Sequence, residues 1–205
     1  MHCEPHIIVR PAKGLSETVY KNGDTSDIIR VILRADKEAT GFITDDVECL
    51  RGDTHRETLQ NVYKFVKGNI KYKADVPGLE QVKSPGALFK SRVGDCKSFS
   101  IAIAAICRAL GYRNISYRFT SYGPGDYTHV YPVVKVGNET YLMDAVPNTS
   151  FDKEAPYTRK KDMPAHKAGM NGHPYQNAHI RGSISNFFTI VGLAVGAYLI
   201  YKASE

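Results

Sequence analysis

The sequence predicts an α+β fold on three observations. Helical patterns fill the chain up to about residue 110, strand patterns cluster between 115 and 143, and a charge-free run of 18 residues, 184–201, follows. Segregated helices and strands of this kind pack as helices against an antiparallel sheet. A chain of 205 residues has room for one full domain and tails, and a hydrophobic fraction of 42% supports a real core.

The first twenty residues read as loop, or as a short strand over Ile7-Ile8-Val9-Arg10, cut off by Pro11 and Gly14. Asp24-Thr25-Ser26-Asp27 has the composition of a helix cap, followed by Ile28, Ile29, Val31, Ile32 and Leu33. Thr54 with Glu57 three residues on has the capping-box form. Leu59, Val62, Tyr63, Phe65 and Val66 then form a helical stripe closed by Gly68 and Asn69. Ile70 to Tyr72 reads as a short extended piece. Residues 73–90 read as a loop ending in a short helix over Gly86 to Phe89.

A third helix begins at Gly94-Asp95-Cys96, with Phe99, Ile103, Ile106 and Leu110 on one face and Gly111 as its stop. Strands are predicted at Ile115 to Phe119, His129 to Val136 and Thr140 to Met143, the last two joined by a turn at Gly137-Asn138-Glu139. Beyond Asp144 the pattern changes. Residues 152–182 hold six positive and three negative side chains, several prolines and no apolar periodicity. They read as an extended basic tether.

Residues 184–201 would reach roughly 27 Å as a helix, close to a hydrocarbon core of ~30 Å. Gly192 and Gly196 form a GxxxG pair, and Tyr198 and Tyr201 suit an interface. The positive flank lies on the N-terminal side. The expectation is a single-pass C-terminal anchor with the folded domain on the cytoplasmic side. The competing reading is an apolar helix docked on a partner, on a second copy or in a larger assembly. The domain plan is thus an N-terminal segment 1–52 with one helix, a catalytic core 53–151, a linker 152–182 and a membrane helix 183–202.

A net charge of +6 favours acidic partners or an anionic surface. Basic tracts with interleaved aromatics are missing, so no specific nucleic-acid site is expected. Cys3, Cys49, Cys96 and Cys107 form no CxxC pair, and no metal or other cofactor is predicted. The start, Met1-His2-Cys3-Glu4-Pro5-His6, carries no apolar secretory core, so free thiols are expected. His2, Cys3 and His6 read as a loose N-terminus rather than a metal site. His166, His173 and His179 are spaced as linker residues.

Cys96 carries the chemistry. It opens a helix, where backbone N–H groups and the dipole favour thiolate. His129 begins one strand and Asp144 follows the next. A thiol, a histidine to share its proton and a carboxylate to orient that histidine make a nucleophilic triad. The Cys96 N–H is one oxyanion donor; Tyr72, or a side chain near Ser91, supplies the second. Cys107 lies three turns deeper on the same helix and reads as inert core.

Several stretches resemble the transglutaminase-like superfamily. Asn61 to Tyr72 resembles its helix-and-short-strand entry. Ser84-Pro85-Gly86-Ala87-Leu88-Phe89 before Gly94-Asp95-Cys96 resembles its approach to the nucleophile. Arg108 to Arg113 resembles its helix exit, and His129 to Val133 with Tyr141 to Asp144 its histidine and acid strands. The likeness covers about residues 55–147. It implies a papain-like α+β core with the cysteine helix packed on an antiparallel sheet. It also implies Cys96 as nucleophile, His129 as base and Asp144 as orienting acid. Ser98 and Tyr131 depart from the family's usual acidic residue and tryptophan, which bears on substrate class.

The resulting expectation is a thiol-dependent acyl-transfer enzyme acting on a protein or peptide amide, a cysteine peptidase or amidase tethered to a membrane. Water or an amine could resolve the thioester. The alternative is a non-catalytic assembly protein, such as a phage virion component, that uses an enzyme-like domain and an apolar anchor.

Overall fold

The computed structural model describes residues 3–12, 17–21 and 24–166. The apolar segment 184–201 and most of the predicted linker lie outside these residues. Among the described residues no helix is long and apolar enough to cross a membrane.

Helix α1 (Pro5–Ile8) is followed by β1 (Glu17–Lys21) and α2 (Thr25–Ala39). Then come α3 (His55–Asn69), β2 (Lys71–Tyr72), β3 (Leu79–Lys83), α4 (Pro85–Ser91), β4 (Val93–Gly94) and α5 (Cys96–Ala109). Strands β5 (Ile115–Ser121), β6 (His129–Val136), β7 (Glu139–Leu142) and β8 (Arg159–Pro164) complete the order. The last four form one antiparallel sheet in the order β7-β6-β5-β8. Helix and sheet are therefore mixed as the sequence predicts.

Local chemistry sets the helix starts. Asp24 accepts from the Asp27 N–H at 2.8 Å while Asp27 accepts from the Asp24 N–H, a reciprocal box. Thr54 accepts from the Glu57 N–H at 3.1 Å, but Glu57 reaches back to Asp53 rather than to Thr54. Only half of the expected box forms there. Ser84 caps α4, with Pro85 at its first turn.

Helix α5 is the centre of the molecule. Every residue from Cys96 to Arg108 is buried. The helix packs against α2, α3 and α4 on one side and β6 on the other. Ala102, Ala104 and Ala105 are fully buried and let these neighbours approach closely. Gly111, with φ of +96°, turns the chain out of the helix. One buried carboxylate ties the layers together. Asp36 of α2 receives both oxygens' bonds from Arg108 at 2.8 Å, the Tyr117 hydroxyl at 2.6 Å and the His166 N–H at 2.7 Å.

Four regions differ from the sequence expectation. Residues 7–10 are not a strand: Pro5 starts a helical turn, and Val9 then bridges to Ile43. The thiols of Cys3 and Cys49 are not free but form a disulfide. Thr44 explains the encounter, since its hydroxyl donates to Ile7 O at 2.7 Å and its N–H to Ile8 O at 2.9 Å, which brings the N-terminal turn beside the 45–50 helical turn. Part of the predicted tether is ordered, because residues 159–164 pair with β5 along its whole length. This strand is polar because it is a sheet edge with little to bury. Within the predicted loop 73–90, residues 79–83 pair with β1.

Candidate active site

The parallel pair β2–β4 places the chain ahead of the nucleophile candidate. Lys71 N–H donates to Arg92 O and Lys73 N–H to Gly94 O, both at 2.8 Å, and Tyr72 aligns with Gly94. Gly94 has no room for a side chain, because a Cβ there would meet Leu88 Cδ1 at 2.4 Å. Asp95 then caps α5, its Oδ1 accepting from the Ser98 N–H at 3.1 Å and the Ser98 hydroxyl at 3.0 Å. Cys96 therefore opens the helix, where the first N–H groups have no intrahelical acceptor.

His129 opens β6 and Asp144 lies two residues past β7. Their side chains are about nine-tenths buried, and His129 Nε2 sits 2.9 Å from Asp144 Oδ2. Cys96 is close enough to His129 to act on the charge of its ring. Burial works against a charged imidazole. The hydrogen bonds to Asp144 and Cys96 outweigh it and push His129 up to about 10. Of the three residues picked from the sequence, His129 and Asp144 are hydrogen-bonded, and Cys96 is close enough to the imidazole to favour its charge.

One hydroxyl locks the two halves of this site. Ser100 Oγ lies 2.7 Å from Cys96 O and 3.0 Å from Val130 O, so it links the nucleophile's helix to the histidine's strand. Nothing in the sequence marked Ser100. Its position four residues after Cys96, one turn along, is the only local hint.

Tyr72 is close enough to Cys96 for their charges to interact. Its ring lies 6.0 Å from Phe99, edge-on. Burial, with the negative charge available on Cys96 and Asp95, pushes its hydroxyl up to about 12, so it stays a donor. Ser91 is occupied elsewhere, its hydroxyl donating to Leu88 O and Val93 O. Cys107 is fully buried, and burial pushes its thiol up to about 12.

Lys97 and Ser98 are buried, not solvated as polar residues at a helix start would be. Lys97 Nζ meets Glu80 at 2.7 Å, Asp75 at 3.1 Å and Asp95. Burial opposes its charge, but Asp95, Cys96 and Glu80 hold the ammonium well above the usual lysine range. Burial also raises Asp95, against the pull of Lys97. The acidic cluster thus has a lysine ammonium at its centre. Among the described residues no group of three or more His, Cys, Asp or Glu side chains could hold a metal ion.

Two aromatic rings flank the histidine. Tyr131 lies 5.5 Å from the His129 ring and Tyr122 lies 6.0 Å from it. Tyr131 is buried and Tyr122 is 45% exposed. A recess of about 160 Å³ lies nearby among Lys73, Asp75, Val76, Gln81, Lys83 and Asp95, and its walls include neither Cys96 nor His129.

Residues 47–145 match the sequence model of the transglutaminase-like superfamily. Curated proteins give no match. Among solved structures the chain is similar to a candidate cysteine protease from Cytophaga hutchinsonii, at 15% identity and a TM-score of 0.40, covering 78% of this chain and 66% of that one. It is also similar to Legionella pneumophila LapG, at 16% identity and a TM-score of 0.43, covering 64% of this chain and 78% of that one. The chain therefore spans about two thirds of the length of the first of these. The match to the transglutaminase-like superfamily thus spans residues 47–145, the stretch that holds Cys96, His129 and Asp144.

Proposed function

We propose that this chain is a thiol-dependent acyl-transfer enzyme of the cysteine hydrolase type, acting on a protein or peptide amide. The observation that supports the reading is the 2.9 Å bond between His129 Nε2 and Asp144 Oδ2, with Cys96 at the start of α5 near enough to act on the imidazole's charge. In this reading Cys96 is the nucleophile, His129 the base and then the acid, and Asp144 the residue that fixes the imidazole.

With Nε2 bonded to Asp144, Nδ1 is the ring nitrogen left for the thiol proton. The thiolate attacks the amide carbonyl, and the C–S bond forms as the carbonyl π pair moves to oxygen. The Cys96 N–H and the Tyr72 hydroxyl are the donors proposed for that oxyanion. Collapse breaks the C–N bond, and the amine leaves with the proton His129 held. The remaining thioester is resolved by water or by a second amine, with His129 taking the proton of the incoming group. Hydrolysis is the simpler outcome.

The test is carboxamidomethylation of the full chain by iodoacetamide from pH 5 to 10, with peptide mapping to separate Cys96 from Cys107. Cys96 is expected to react fast below pH 7 and to slow in His129→Ala and Asp144→Asn. An unreactive Cys96, or one titrating near the ordinary ~8.5 in all three proteins, overturns the reading. The proposal carries the membrane anchor at 184–201 with it. Alkaline carbonate extraction of membranes from expressing cells checks that part, since release into the supernatant would sink it.

A further inference from the structure

The matched domain ends at residue 145, but the polar network around His129 does not. Glu154 lies nine residues beyond that boundary. Its Oε1 accepts from the Tyr131 hydroxyl at 2.5 Å and from Arg118 Nη1 at 2.7 Å. Arg118 in turn forks onto Asp162 of β8, with Nε and Nη2 both at 2.8 Å. Burial alone would raise Glu154, yet these two donors hold its carboxyl below the usual range. Glu154 is therefore an ionised acceptor fixed from two sides.

Tyr131 is the far end of this network. It follows His129 by two residues, so both side chains leave the same face of β6. Its ring lies against the imidazole at 5.5 Å, tilted by 41°. A buried ring can still slide unless its polar end is held. Around His129 stand Cys96 from α5, Asp144 beyond β7, Tyr122 from the loop after β5 and Tyr131 from its own strand. The charged groups next out are Glu154 and Arg118. The same outlying segment also holds the Tyr122 loop, through Thr158 Oγ1 to Gly123 O at 2.7 Å.

We propose that Glu154 is a positioning residue: it anchors the Tyr131 hydroxyl, sets that ring against His129, and so holds the imidazole in the orientation that serves Cys96. The segment after the matched domain is then part of the catalytic unit rather than a spacer. This inference rests on the triad reading above.

The experiment is the rate of Cys96 carboxamidomethylation against pH in the full chain, with a thermal midpoint for every variant. Glu154→Gln and Tyr131→Phe are each expected to slow Cys96 about fivefold at pH 6.5 and move the low-pH limb upward. In the Tyr131→Phe background, adding Glu154→Gln should change nothing further. Asp162→Asn, which loosens β8 without touching Tyr131, should leave the profile in place even if its thermal midpoint falls. Equal slowing by Glu154→Gln in both backgrounds, or an equal shift from Asp162→Asn, makes the network a strand anchor and overturns the proposal. A profile that His129→Ala changes and Glu154→Gln does not overturns this proposal alone. A profile that His129→Ala leaves unchanged overturns the triad reading and this proposal together.

Discussion

Cys96 and Cys107 share one helix, eleven residues apart, and both are buried, yet they meet opposite surroundings. Cys96 sits on open N–H groups, an imidazole and a lysine ammonium. Cys107 sits among apolar side chains that push its thiol up to about 12. Burial alone therefore does not fix what a thiol meets. The polarity of what does the burying decides it.

The sharpest way to break this comparison is to remove the thiol at the helix start. Cys96→Ala is expected to abolish every cleavage or transamidation product in a peptide-library digest read by mass spectrometry, with the fold intact. Persisting product would move the chemistry elsewhere. Next in size is the charge beneath that thiol. Lys97→Met leaves the buried Asp95 carboxylate without its cation, and should cost about 3–5 kcal/mol in urea denaturation. An unchanged midpoint would mean that the cluster does not set the start of α5.

A smaller effect follows from His129. Its folded value is raised from 6.5 to about 10. The stability its charge contributes is thus complete below about pH 6.5 and is lost as pH rises through about 10. The denaturation difference between wild type and His129→Asn should shrink over that range; a constant difference would refute the assignment. Smallest of all, Cys107→Ala should cost about 1 kcal/mol and leave Cys96 alkylation unchanged. A changed Cys96 rate would show that the two thiols are not independent.

The parts legible in the sequence are those with local causes. The stripe from Leu59 to Val66, the cap at Asp95 and the hairpin at Gly137 are each written within one or two turns of chain. Cys96, His129 and Asp144 could be named because each sits at the end of such an element. What escaped needs distant partners. Cys3 meets Cys49 across 46 residues of sequence. The charged run 159–164 is a strand only because β5 offers it an edge. The burial of Lys97 has no sign in its own stretch of chain, because its carboxylates include those of residues 75 and 80 as well as 95. Ser100 and Glu154 are ordinary letters until the fold gives them acceptors and donors.

The Asp36 cluster has a mechanical consequence. The backbone at His166 is clipped by Asp36, which Arg108 and Tyr117 hold in turn, and the adjacent Ala165 N–H is bonded to Ile115 O. Tension drawn along the chain from residue 167 onward therefore enters the domain at this clamp. It loads α2, α5 and the first residue of β5 before it can peel β8 from the sheet edge. A pull on the C-terminal side is thus borne by the scaffold, away from the paired strand whose segment holds Tyr131.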